Sequence, residues 1–161
     1  MLIRLAGIFR KFEDTILVLL MLTMISLAVF QIFLRNFFDA GIIWADPLVR
    51  VLVLWTGLIG AMAASRTDNH ISIDVISRFL PPPVKKITSL LVYLFTAGIA
   101  GLMTWHSFRF VSMEKADGIT AFAGVPAWIC EAIIPVAFAV IGIRYILFFF
   151  HHLLTLIKKP Q

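Results

Sequence analysis

Apolar positions gather in four long runs, separated by connections in which polar residues and prolines concentrate. The runs cover residues 16–34, 48–64, 87–105 and 129–150. Each is roughly 17 to 22 residues long, the length at which a helix crosses the hydrocarbon core of a bilayer. Within lipid every backbone N–H and C=O must be satisfied inside the segment, so such runs fold as helices. The pattern predicts an all-α membrane protein: a single four-helix integral membrane domain over 1–161, with short amphipathic interfacial helices. No connection is long enough to form a soluble domain.

The connections carry weaker patterns. In residues 2–12, Leu5, Ile8, Phe9 and Phe12 fall to one side and Arg4 and Lys11 to the other. That separation predicts a helix lying at the membrane surface before the chain turns into the bilayer. Between the second and third runs, Ile71, Val75 and Phe79 recur every four residues. They suggest a surface helix over about 74–80, capped by Ser72 or Asp74, although Ile71, Ile73 and Val75 also alternate as an extended segment does. Pro81-Pro82-Pro83 stops any helix before the third run. The third connection is expected over about 108–126, with Pro126 at the first turn of the last helix.

Charge decides orientation more than partner. The net charge of +5 invites a nucleic-acid reading, but the cations are unevenly placed. Arg4, Arg10, Lys11, Arg66, Arg78, Lys85, Lys86, Lys158 and Lys159 lie on one side; Arg35, Arg50, Arg109 and Lys115 lie on the other. Nine against four matches the positive-inside rule with both termini cytoplasmic. The basic balance therefore reads as topology, and no nucleic-acid partner is expected. The first run is longer than a secretory h-region and its exit lacks a small-x-small site, so it is expected to stay on the chain as a span. A single cysteine, Cys130, excludes an internal disulfide and reads as a small buried residue near a helix start. Trp44, Trp105 and Trp128 mark the outer interface, whereas Trp55 falls inside a span.

Ionisable residues at membrane depth are the first candidates for chemistry. Arg50 lies early in the second run, Glu131 early in the fourth and Arg144 two-thirds along it. Glu131 and Arg50 fall at similar depths and are a candidate ion pair, with Arg109 as a competing partner for Glu131. A relay for an ion or substrate and a set of interhelical anchors both fit these positions. His70 with Asp68 and Asp74 gives too few ligands for a metal site. No P-loop, GxSxG, HExxH or dinucleotide fingerprint occurs, so neither cofactor nor catalytic activity is expected. Gly57, Gly60, Ala61 and Ala64, and Ala97 with Gly101, provide small-residue faces for close helix contact in lipid.

Several of these landmarks together resemble a known family. Gln31-Ile-Phe-Leu-Arg35 closes the first run, and Trp44 and Asp46 precede the second. Arg50 and the stretch from Trp55 to Gly60 and Ala61 follow, then Arg66-Thr-Asp-Asn-His70-Ile-Ser-Ile-Asp74. Pro126-Ala-Trp128, Pro135 and Arg144 complete the set. Their order resembles the small membrane subunit of tripartite ATP-independent periplasmic (TRAP) transporters, of DctQ/SiaQ type. In that family an acidic residue commonly stands three positions after the tryptophan. Here Pro47 occupies that place, and Asp46, one position earlier, is the carboxylate available to stand in.

The resemblance implies a scaffold subunit of the bacterial inner membrane, partnered with a large membrane subunit that imports an organic acid on a sodium gradient. Sialic acid or a C4-dicarboxylate would be delivered by a periplasmic binding protein. Arg35, Trp44, Asp46, Glu114 and Lys115, all on the expected outer side, are candidate contacts for that protein. The alternative is a self-sufficient homo-oligomeric channel or exporter with Glu131 as its coupling carboxylate.

Overall fold

A computed structural model of the chain describes residues 2–66 and 82–157. Their elements are α1 (Leu2–Phe38), α2 (Ala45–Ala64), α3 (Pro82–Asp117), β1 (Thr120–Phe122), β2 (Val125–Pro126), α4 (Ala127–Glu131) and α5 (Ile133–Ile157). Four stretches are long and apolar enough to cross a membrane: Phe9–Phe38, Ala45–Ala64, Ile87–Asp117 and Ala127–Thr155. This is an all-α, four-span architecture. The helices pack in a row, α1 on α2, α2 on α5 and α5 on α3, the last pairing being the most extensive. The suggested surface helix over 74–80, and His70 and Asp74 with it, lie outside the described residues.

Three boundaries differ from the sequence expectation, each for a local reason. Residues 2–12 do not turn before the first span; α1 runs unbroken through them. No proline or glycine breaks the sequence between Gly7 and Gly41, so nothing in the chain forces a bend at residue 12. The third helix continues past Trp105 to Asp117. Its two serines there are satisfied by its own backbone: Ser107 donates to Met103 O at 2.6 Å and Ser112 to Phe108 O at 2.7 Å. The helix ends at Gly118, whose φ of +66° is the left-handed closure that favours glycine.

The fourth span is two helices, not one. Pro135 has no N–H to offer the carbonyl four residues back, on Glu131, and its ring crowds that oxygen. The chain breaks there, at Ala132, between α4 and α5. Ahead of α4, β1 and β2 form a small antiparallel hairpin, Thr120 opposite Pro126 and Phe122 opposite Val125. Ala123 and Gly124 turn it with φ of +45° and +79°, the paired left-handed conformation whose twist suits a two-residue hairpin. The Ala127 N–H closes the unit by donating to Ile119 O at 2.9 Å.

Candidate functional site at the two ends of the second helix

At 20 residues, α2 is the shortest span, about 30 Å long by helical rise and equal to the hydrocarbon thickness. Its two ends set two levels, and the interhelical charges collect at them. On α1 the same levels are met by Glu13 and Gln31, the buried residues of that helix among those described, at 4% and 6% exposure. The helix is thus tied to its neighbours by polar groups, while Val18, Leu22, Ile25, Val29 and Phe33 face outward. In lipid, apolar residues gain little from packing on each other, so hydrogen bonds and close fit must hold helices together.

At the level of the termini, Glu13 receives two arginines. Arg66 Nε donates to its Oε2 at 2.5 Å, with Nη2 at 2.5 Å from the same oxygen as an ion contact. Arg144 Nη2 donates to its Oε1 at 2.8 Å. Arg144 Nη1 also donates to the Met62 carbonyl and, at 3.0 Å, to Ser65 Oγ. Arg66 Nη1 reaches the exposed Asp14 at 2.6 Å. Two carboxylates face two guanidiniums, so the cluster is neutral. Burial by itself lowers the Arg66 pKa, but the bonds and charges of Asp14 and Glu13 outweigh it and hold it above the ordinary value. One cluster therefore fastens α1, the end of α2 and the middle of α5.

At the opposite level, Asp46 accepts from Arg35 at 2.6 Å and from Gln31 Nε2 at 3.2 Å. Gln31 Nε2 also donates to Ile42 O at 3.2 Å, tying α1 to the turn before α2. Both acceptors fix the amide orientation and leave Gln31 Oε1, a buried acceptor, without a hydrogen-bond partner. Beside it an open groove of about 360 Å³ runs between α1 and α2, lined by Ala28, Gln31, Ile32, Arg35, Asp46, Val49 and Arg50.

The predicted residues separate in this geometry. Arg144 is an interhelical anchor, but its partner is Glu13, which the sequence reading did not single out. Arg50 and Glu131 are not brought together: Arg50 lines the groove, and Glu131 Oε2 is buried without a hydrogen-bond partner. Among the described residues neither Arg50 nor Arg109 forms an ion pair with Glu131. Asp46 pairs with Arg35, so the substitute carboxylate does engage the α1 arginine. Lys115 lies 5.1 Å over the Trp128 ring, joining α3 to α4, and Trp44 precedes α2. Trp55 spends its indole N–H on Cys130 O at 2.7 Å, a carbonyl in the last turn of α4 that its own helix leaves free. Cys130 itself is buried.

The small-residue faces divide likewise. Gly142 meets α3 at Ala100 and Gly101, where an added Cβ would lie 3.4 Å from the Ala100 methyl. Gly60 faces Leu17 of α1, whereas Gly57 and Gly98 face open space. Among the described residues no three metal-ligating side chains gather.

Comparison with known proteins places this arrangement. Residues 24–155 match the family described as tripartite ATP-independent periplasmic transporters, DctQ component. The C4-dicarboxylate TRAP transporter small permease protein DctQ of Pseudomonas aeruginosa is 29% identical over 63% of this chain and 50% of its own length. The sialic acid TRAP transporter permease protein SiaT of Haemophilus influenzae is 25% identical over 85% of this chain but 22% of its own. The ectoine TRAP transporter small permease protein TeaB of Halomonas elongata is 24% identical over 84% of this chain and 71% of its own. The chain thus spans about half of the first relative and about a fifth of the second. With four apolar spans and a family match over most of its length, the chain belongs to the DctQ family and is a small permease subunit of a TRAP transporter.

Proposed function

We propose that this chain is the stationary subunit of its transporter, an accessory without catalytic activity that holds the immobile part of a large membrane subunit. The Glu13–Arg66–Arg144 cluster carries this reading, because it locks three helices at one level where a moving element would need them free. The charged ties at the other end of α2 support it in the same way. In this reading both termini are cytoplasmic, following the cation bias. The outer end, with Trp44, the Arg35–Asp46 pair, Glu114 and Lys115, faces a periplasmic binding protein that delivers an organic acid taken up with sodium. Relatives of this same subunit are named for C4-dicarboxylate, sialic acid and ectoine transporters. Selection of the solute therefore belongs to the other components.

The test is reconstitution in proteoliposomes under a sodium gradient. The chain with its large subunit and binding protein is expected to accumulate labelled organic acid, and the chain alone to accumulate none. Uptake by the chain alone would overturn the accessory reading and favour the self-sufficient exporter.

A further inference from the structure

The groove between α1 and α2 has a chemistry that the ion pairs around it do not exhaust. Asp46 is occupied by Arg35 and Gln31, so it does not neutralise Arg50, one turn further along α2. Arg50 is exposed and has no ion-pair partner among the described residues, although residues four apart on a helix are neighbours. Gln31 is more than nine-tenths buried, lines the groove and keeps its Oε1 acceptor unpartnered. Ala28, Ile32 and Val49 supply an apolar wall. Volume of about 360 Å³ lies in the range of small-ligand sites, at the depth where α2 begins and headgroups meet hydrocarbon.

We propose that this groove binds one phospholipid with an amine headgroup: phosphate on Arg50, ammonium on the Asp46 carboxylate, and acyl methylenes along Ala28, Ile32 and Val49. The guanidinium is matched to a phosphodiester, with which it makes paired charge-assisted hydrogen bonds. The acceptor beside Arg50 is a carboxylate, so the group next to the phosphate needs an N–H or O–H. The half-exposed Asp46 carboxylate keeps free lone pairs and favours that group being cationic. A free anion would satisfy Arg50 and leave Asp46 and the apolar wall unused. The i, i+4 placement of Asp46 and Arg50 sets the negative and positive ends side by side, as the zwitterion requires.

Phosphatidylethanolamine and phosphatidylcholine share the phosphate and differ in whether the nitrogen bears N–H, so they separate this site from ordinary annular contact. The chain, purified in mild detergent, is titrated with each lipid and the bound lipid counted by native mass spectrometry. One phosphatidylethanolamine per chain is expected to be retained about tenfold more tightly than phosphatidylcholine, the loss of one charge-assisted bond. Arg50→Gln is expected to reduce retention by a similar factor. Ala28→Phe, which fills the wall without touching a charge, is expected to do the same. Equal retention of the two lipids by the unaltered chain, or unchanged retention in both variants, would overturn the proposal. The lipid comparison on the unaltered chain stands whether or not either variant folds.

Discussion

Arg144 and Glu13 stand 131 positions apart in the chain, and their side chains meet at 2.8 Å. One residue precedes the first predicted span and the other lies within the last, so neither position by itself suggests the contact. The pairing places Arg144 level with the end of α2, where Met62 O and Ser65 Oγ complete its donors. An arginine that looks isolated along the sequence is an interhelical anchor in the fold.

Removing Glu13 is expected to be costly. Glu13→Ala removes the buried carboxylate shared by two guanidiniums that are 11% and 18% exposed, and breaking such a pair from one side costs about 3 kcal/mol or more. Asp14→Ala removes an exposed partner and is expected to cost about 1 kcal/mol or less. Unfolding of both variants in detergent micelles checks the ranking; equal losses would show that Glu13 does not organise the cluster.

The break in the fourth span is attributed to Pro135. Pro135→Ala restores an N–H that can reach Glu131 O, so amide exchange at Ala132 is expected to slow, and the new amide at position 135 to be protected, as the two helices merge. Exchange as fast as in the unaltered chain would move the cause of the break to the Trp55–Cys130 bond.

That bond gives its own prediction. Trp55→Phe keeps most of the ring but leaves Cys130 O without its donor, and is expected to destabilise by about 1 kcal/mol. The change should be accompanied by faster exchange in α4 and no change near Glu13.

Glycine tolerance should differ between helix faces. Gly142→Leu drives atoms into Ala100 and the Gly101 backbone and is expected to cost about 1–3 kcal/mol. Gly98→Leu enters open space and should leave the melting temperature of the isolated chain nearly unchanged.

Orientation is open to direct measurement. Cys130 is buried, so an introduced thiol dominates labelling. Ile43→Cys, at a position 94% exposed, is expected to react with a membrane-impermeant maleimide added to intact spheroplasts. Phe12→Cys is expected to react only after lysis. The reverse pattern would invert the topology.

The sequence by itself determined that four helices cross the membrane, since each run must satisfy its backbone internally over the bilayer thickness. The family was also legible, because the order from Gln31 to Asp46 and from Arg50 to Arg66 is local. The Pro135 landmark was visible too, although its effect on α4 was not drawn from it. What the sequence left undecided was which polar groups meet. Depth alone put Arg50 opposite Glu131, and α2 does pack on the fourth span, but depth says nothing about helix face: Arg50 lines the groove toward α1. Glu13 passed unremarked because it sits outside the apolar run, and Gln31 was noted only as a motif residue. Only the tertiary structure showed these two to be the buried residues of α1 among those described, while many of its apolar residues face outward. Lipid removes the hydrophobic pull between helices, so hydropathy marks where each helix spans, and the polar contacts decide how the helices join.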